Sequence, residues 1–77
     1  MRTVTITSRD GVTIHLDESA QRRLLRRSKM MGEHDLAEMY DVPTYVIRRA
    51  VFDAWANDFE RSVIQTSAMA LATARLA

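Results

Sequence analysis

With 77 residues, 47% of them hydrophobic and 27% charged, the chain is one domain whose core is only marginally sufficient unless it finds a partner. It has no cysteine and two histidines, His15 and His34, which excludes disulfides and cysteine-ligated metal and leaves too few ligands for a metal centre. The net charge of +1 argues against indiscriminate nucleic-acid binding. No apolar run approaches a membrane span and residues 1–7 lack a signal peptide's apolar segment, so a cytoplasmic protein with no membrane partner is expected.

Residues 3–16 alternate as a β-hairpin requires. A two-residue Asp10-Gly11 loop would set Ile6 opposite His15 and mix the faces. A three-residue loop, Arg9-Asp10-Gly11, sets Val4 opposite Leu16, Ile6 opposite Ile14 and Thr7 opposite Thr13, which gathers the apolar residues on one face. Gly11 then takes the left-handed position that closes such a loop with a bulge. A lone hairpin is not stable in water, so the Val4/Ile6/Ile14/Leu16 face is expected to cover the helices or to meet another subunit. His15 falls on the threonine face as a solvated strand residue.

Asp17 is a good N-cap for a first helix reaching about Met31, and Glu18 is well placed against the helix dipole. Ala20, Leu24, Leu25, Ser28 and Met31 form its buried side. Arg22, Arg23, Arg26, Arg27 and Lys29 turn the rest into a dense basic strip. The charge layout is uneven: residues 1–32 carry seven basic and three acidic side chains, residues 33–47 four acidic and none basic. Gly32 ends this helix, and a short second one follows over residues 33–40.

Leu36, Ala37 and Tyr40 lie on one helical stripe, Asp41-Val42-Pro43 interrupts it, and Ile47, Ala50 and Val51 restart a stripe of the same period. Ala37 is small where two helices would cross. Asp41 stands where the turn needs a left-handed backbone, at a cost of about 1 kcal/mol relative to glycine. Val42 plugs the turn into the core, and Pro43 can begin the next helix because a first-turn residue needs no backbone donor. This arrangement resembles the helix-turn-helix of DNA-binding proteins over about residues 20–56. The small size is similar to that of phage or mobile-element regulators.

The third helix begins near Pro43 or Thr44, with Ile47, Ala50, Val51 and Ala54 inward and Tyr45, Arg48, Arg49 and Phe52 outward. The resemblance implies that the outward face enters a major groove. Arg48 and Arg49 would read guanine edges or hold phosphates, and Thr44 and Tyr45 would touch phosphate or a thymine methyl. Ten of the eleven basic residues are arginine, whose planar fork suits such contacts. Arg22, Arg23, Arg26, Arg27 and Lys29 would then grip phosphates beside the groove; the alternative is a solvated face that neutralises the acidic second helix.

Asn57 followed by Glu60 has capping-box spacing and predicts a break near residue 57, with a separate C-terminal helix over residues 57–77. If the helix instead runs on, Phe52, Ala56, Phe59, Val63, Thr66, Ala70 and Thr73 form a heptad seam. Trp55 and Phe59 need burial. Phe52, Trp55, Phe59 and Val63 are therefore the expected dimer or partner interface, with packing back onto the first helix as the alternative. The alanine-rich residues 68–77 are expected to fray or to be held by a partner.

No phosphate-binding glycine loop and no nucleophile beside a histidine occur, so neither an enzyme nor a cofactor is expected. The expected fold is a single, mainly α domain with a short N-terminal β-hairpin, a three-helix helix-turn-helix core over residues 18–56 and a C-terminal helix. The expected function is a repressor-like transcriptional regulator that binds double-stranded DNA as a homodimer. The alternative is a small protein-binding module or phage-type inhibitor, with a host protein as partner, acting through Phe52, Trp55 and Phe59.

Overall fold

A computed structural model of the chain describes the backbone of residues 1–76 and the side chains of residues 1–67. The elements in order are β1 (Thr5–Thr7), β2 (Thr13–His15), α1 (Glu18–Met30), α2 (Glu33–Met39) and α3 (Thr44–Leu76). The architecture is mainly helical with a short antiparallel hairpin, as expected.

The hairpin has the register that keeps its apolar residues together: Ile6 pairs with Ile14 and Thr7 with Thr13, and the Leu16 N–H donates to the Val4 carbonyl at 2.9 Å. Gly11, at φ +86°, closes the three-residue loop. The apolar face is covered only in part. Val4 and Ile6 are buried whereas Ile14 is 54% exposed, because α3 packs against β1 and leaves β2 at the outer edge.

The α1 helix starts where Asp17 accepts the Ala20 N–H at 2.8 Å. Leu24 is its fully buried anchor, flanked by half-buried Leu25 and Met31. Gln21, one turn earlier, is also buried, a position not expected from the apolar pattern. α1 ends at Met30, with Met31 as its cap, and Gly32, at φ −67°, is the residue that opens α2.

The connection from α2 to α3 is a left-handed cap. The Val42 N–H reaches back to the Ala37 carbonyl at 3.0 Å and the Asp41 N–H to Glu38 at 3.1 Å, the paired bonds that satisfy the last carbonyls of a helix. Asp41 supplies the reversal at φ +55°. Val42, wholly buried, packs in one core with Val4, Ile6, Leu24, Leu36, Ala37, Ile47, Ala50 and Ala54.

The predicted break near residue 57 does not occur. α3 runs unbroken from Thr44 to Leu76, so the residues from 57 to 76 continue the third helix and do not form a separate one. Asn57 is not a cap. Its side chain is buried, and its amide takes the Arg2 N–H at 2.7 Å and donates to the Arg2 carbonyl at 2.7 Å and to Gln21 Oε1 at 3.1 Å. A side chain committed to distant partners cannot turn back onto its own helix, and no glycine or proline between residues 44 and 77 interrupts the ladder. Trp55 and Phe59 do not fold back onto α1 either; they stay 55% and 58% exposed. The behaviour expected of side chains 68–77, including seam positions Ala70 and Thr73, lies outside the described residues.

Asn57→Ala is expected to lower the free energy of unfolding by about 1–3 kcal/mol in urea titration, the cost of leaving buried polar partners unsatisfied. Asp41→Gly, which relieves the left-handed strain, should raise stability by about 1 kcal/mol, whereas β-branched Asp41→Val should lower it by at least as much. Coincident urea midpoints for those two variants would contradict the left-handed turn.

Candidate nucleic-acid interface

The amino end of α3 is exposed for a simple reason. Ile47, Ala50 and Ala54 face the core, so positions 45, 48, 49 and 52 face outward on a helix of 3.6 residues per turn. Tyr45 is 70% exposed and Thr44 is half-buried beside the turn. Arg48 does not stand free. Its Nη2 lies 2.6 Å from Glu33 Oε1 and its Nε 3.2 Å from Glu33 Oε2, a two-pronged pair across the α2–α3 groove. The hydrogen bond from Arg48 holds the Glu33 carboxyl below its ordinary value of 4.5, and Glu33 correspondingly raises Arg48. Beneath the pair, Ser28, Met31, Leu36, Ile47 and Val51 line a small apolar cleft.

Arg49 is also engaged, donating to Asp53 Oδ2 at 3.1 Å. The other oxygen of this buried carboxylate accepts from Arg2 at 3.0 Å, and the Arg2 guanidinium lies 5.1 Å over the Phe52 ring. Neither Arg2 nor Asp53 stood out in the sequence, because the contact spans fifty-one residues.

The basic strip of α1 divides. Arg22 pairs with Glu18 at 2.6 Å and borders a hollow with Arg61 and Ile64. Arg61 lies sixteen residues, about 24 Å, along α3 from Tyr45. Arg27, half-buried, donates to the Tyr40 hydroxyl at 2.9 Å and approaches its ring at 5.9 Å, tying α1 to the end of α2. Arg23, Arg26 and Lys29 are exposed and have no ion pair or side-chain hydrogen bond among the described residues. The nine basic and polar side chains singled out in the sequence thus do not form one surface.

The fold brings in one group that the sequence reading missed. The Arg9 N–H donates to the Asp41 carbonyl at 3.1 Å, which fixes the hairpin tip beside the α2–α3 turn and sets exposed Arg9 near the start of α3. No local pattern signals this, since the two segments are far apart in the chain.

Further along α3 the outward face becomes aromatic. The Phe52 and Trp55 ring centroids are 6.3 Å apart, and Trp55 and Phe59 stack at 5.7 Å with an interplanar angle of 18°. All three rings are at least half exposed, and Val63 extends the stripe. Among the described residues no His, Asp and Glu side chains gather as a metal site, and no helix is long and apolar enough to cross a membrane. No protein family, curated protein or solved structure matches the chain.

The Glu33–Arg48 pair has a checkable pH signature. Because the folded-state pKa of Glu33 is depressed, its stabilising contribution is complete above the ordinary glutamate value and disappears as pH falls through the lower folded value. An NMR titration should show the Glu33 carboxyl titrating below 4.5 in the wild type and returning to the ordinary range in Arg48→Ala.

Proposed function

We propose that this chain is a repressor-like, sequence-specific transcriptional regulator that sets the amino end of α3, from Thr44 onward, in the major groove of double-stranded DNA. The observation that carries the reading is the α2–turn–α3 unit. Its left-handed Asp41 and buried Val42 fix the reversal between the helices, and Ala37 is buried at the base of the turn. The exposed first turns of α3 present Thr44, Tyr45 and Arg48 together.

Docking requires Arg48 to leave Glu33. The pair is exposed on both sides, and such pairs are screened by solvent and hold little. A guanine edge in a groove offers the same two-pronged geometry with greater discrimination. Arg23, Arg26 and Lys29 supply phosphate contacts with no competing carboxylate, and Arg9 at the hairpin tip adds a charge beside the reading end.

A second reading, a protein-binding module or phage-type inhibitor, is favoured by the Phe52, Trp55 and Phe59 surface, which is apolar where a DNA groove is polar. Selection from randomised duplexes followed by a salt series separates the two. The regulator reading expects a selected duplex bound with steep salt dependence. Arg48→Ala/Arg49→Ala should then lose about 10-fold or more, in line with roughly 1–3 kcal/mol for each base-reading pair. Arg23→Ala/Arg26→Ala should flatten the log–log salt slope by about two. If no duplex is preferred over random DNA at low salt, the regulator reading fails.

A further inference from the structure

We propose that a second copy of this chain packs on the outward stripe of α3 formed by Phe52, Trp55, Phe59 and Val63, so that the protein is a dimer joined along its longest helix. Isolated exposed apolar residues are ordinary on protein surfaces, but these four are contiguous at steps of three and four. They are 48–58% exposed, and the rings are already ordered against one another. The chain's own body covers them little: it packs on the opposite side of α3, where Ala50, Ala54 and Asn57 are buried, and reaches the stripe at its start, where the Arg2 guanidinium lies over Phe52.

The helix itself needs a partner there. At 33 residues α3 is about 50 Å long, and every side chain from Ser62 to Ser67 is exposed. A helical segment without tertiary packing is marginal in water. The stripe is the apolar face that such packing would use.

The occupant is identified by the stripe's own chemistry. Its own positions from Phe52 to Thr66 carry no charge, and the Arg2 guanidinium over Phe52 is already paired with Asp53, so it lacks the pattern that would select an oppositely charged partner. It alternates bulky Phe52, Trp55 and Phe59 with small Ala56 and Ser62, which provides both knobs and holes on one helix face and makes the stripe complementary to itself. The exposed area is that of a weak, reversible dimer. Aromatic side chains of roughly 150–250 Å² each, about half exposed, leave about 300 Å² per copy. Val63 adds about 60 Å², so these four side chains alone bury roughly 700 Å² between two copies, before the flanking exposed positions of α3 are counted.

The test uses the full chain and no DNA, so its outcome is separate from that of the regulator reading. Trp55, the single tryptophan, sits in the stripe and reports on it directly. Sedimentation equilibrium is expected to give twice the chain mass, with Trp55 emission shifting to the blue as concentration rises. Phe59→Glu should sediment at the mass of one chain and lose the shift while keeping the helical circular dichroism of the packed fold, with any loss confined to the end of α3 beyond Arg61. Ile14→Thr, which removes an equally exposed apolar side chain from the hairpin, should remain dimeric. A wild type that stays monomeric up to its solubility limit, a dimer that persists in Phe59→Glu, or heterogeneous association abolished equally by Ile14→Thr would each overturn the proposal.

Discussion

The buried carboxamide of Asn57 ties the ends of this fold together. It bonds both backbone groups of Arg2 and the side chain of Gln21, and Gln21 in turn donates to the Leu16 carbonyl at 2.8 Å. One residue on α3 thereby holds the start of the hairpin, its exit and α1. The carboxamide can do this because it presents an acceptor and a donor side by side, the same complement that a neighbouring strand would offer to Arg2. With the hairpin anchored, Val4 and Ile6 are pressed onto the helices, and a pair of strands too short to stand alone is held against the core through β1. The anchor also explains the length of α3, since a residue that reads as a helix start is drawn inward and the helix passes straight through it.

A second constraint acts at the other end of the hairpin. The Arg9–Asp41 backbone bond joins the hairpin tip to the α2–α3 turn, so the left-handed residue that reverses the chain also receives the loop beside it. Hairpin, turn and the amino end of α3 therefore form one region. The amino end of α3 is thereby held by backbone contacts between rigid elements.

The electrostatics of that surface are more restrained than the arginine count suggests. Arg48, Arg49 and Arg22 are each paired with a carboxylate and Arg27 is held by the Tyr40 hydroxyl, so among the described residues Arg9, Arg23, Arg26 and Lys29 are the basic side chains with no side-chain partner. Glu33 opens α2, where a carboxylate is favoured by the helix dipole. The same placement brings it across from Arg48. One acidic side chain thus serves helix start and inter-helix pairing together, and it moderates the attraction of the α3 face for any anion.

Much of the fold was legible in order along the chain. The hairpin register followed from keeping Ile6 and Ile14 on one face, the first helix from Asp17, and the turn from Asp41, Val42 and Pro43, because these are set by neighbours within a few residues. The inward side of α3 was legible from its period. What local pattern could not supply were the contacts between segments far apart: Asn57 with Arg2 and Gln21, Asp53 with Arg2, Arg48 with Glu33, and Arg9 with Asp41. These decided that α3 is continuous, that Ile14 and the aromatic stripe stay outside, and which arginines are free to act. The physical reason is that backbone propensity and period are properties of a single segment. The partner of a buried carboxamide or an exposed guanidinium is chosen only when the packed core brings distant segments within a hydrogen-bond length.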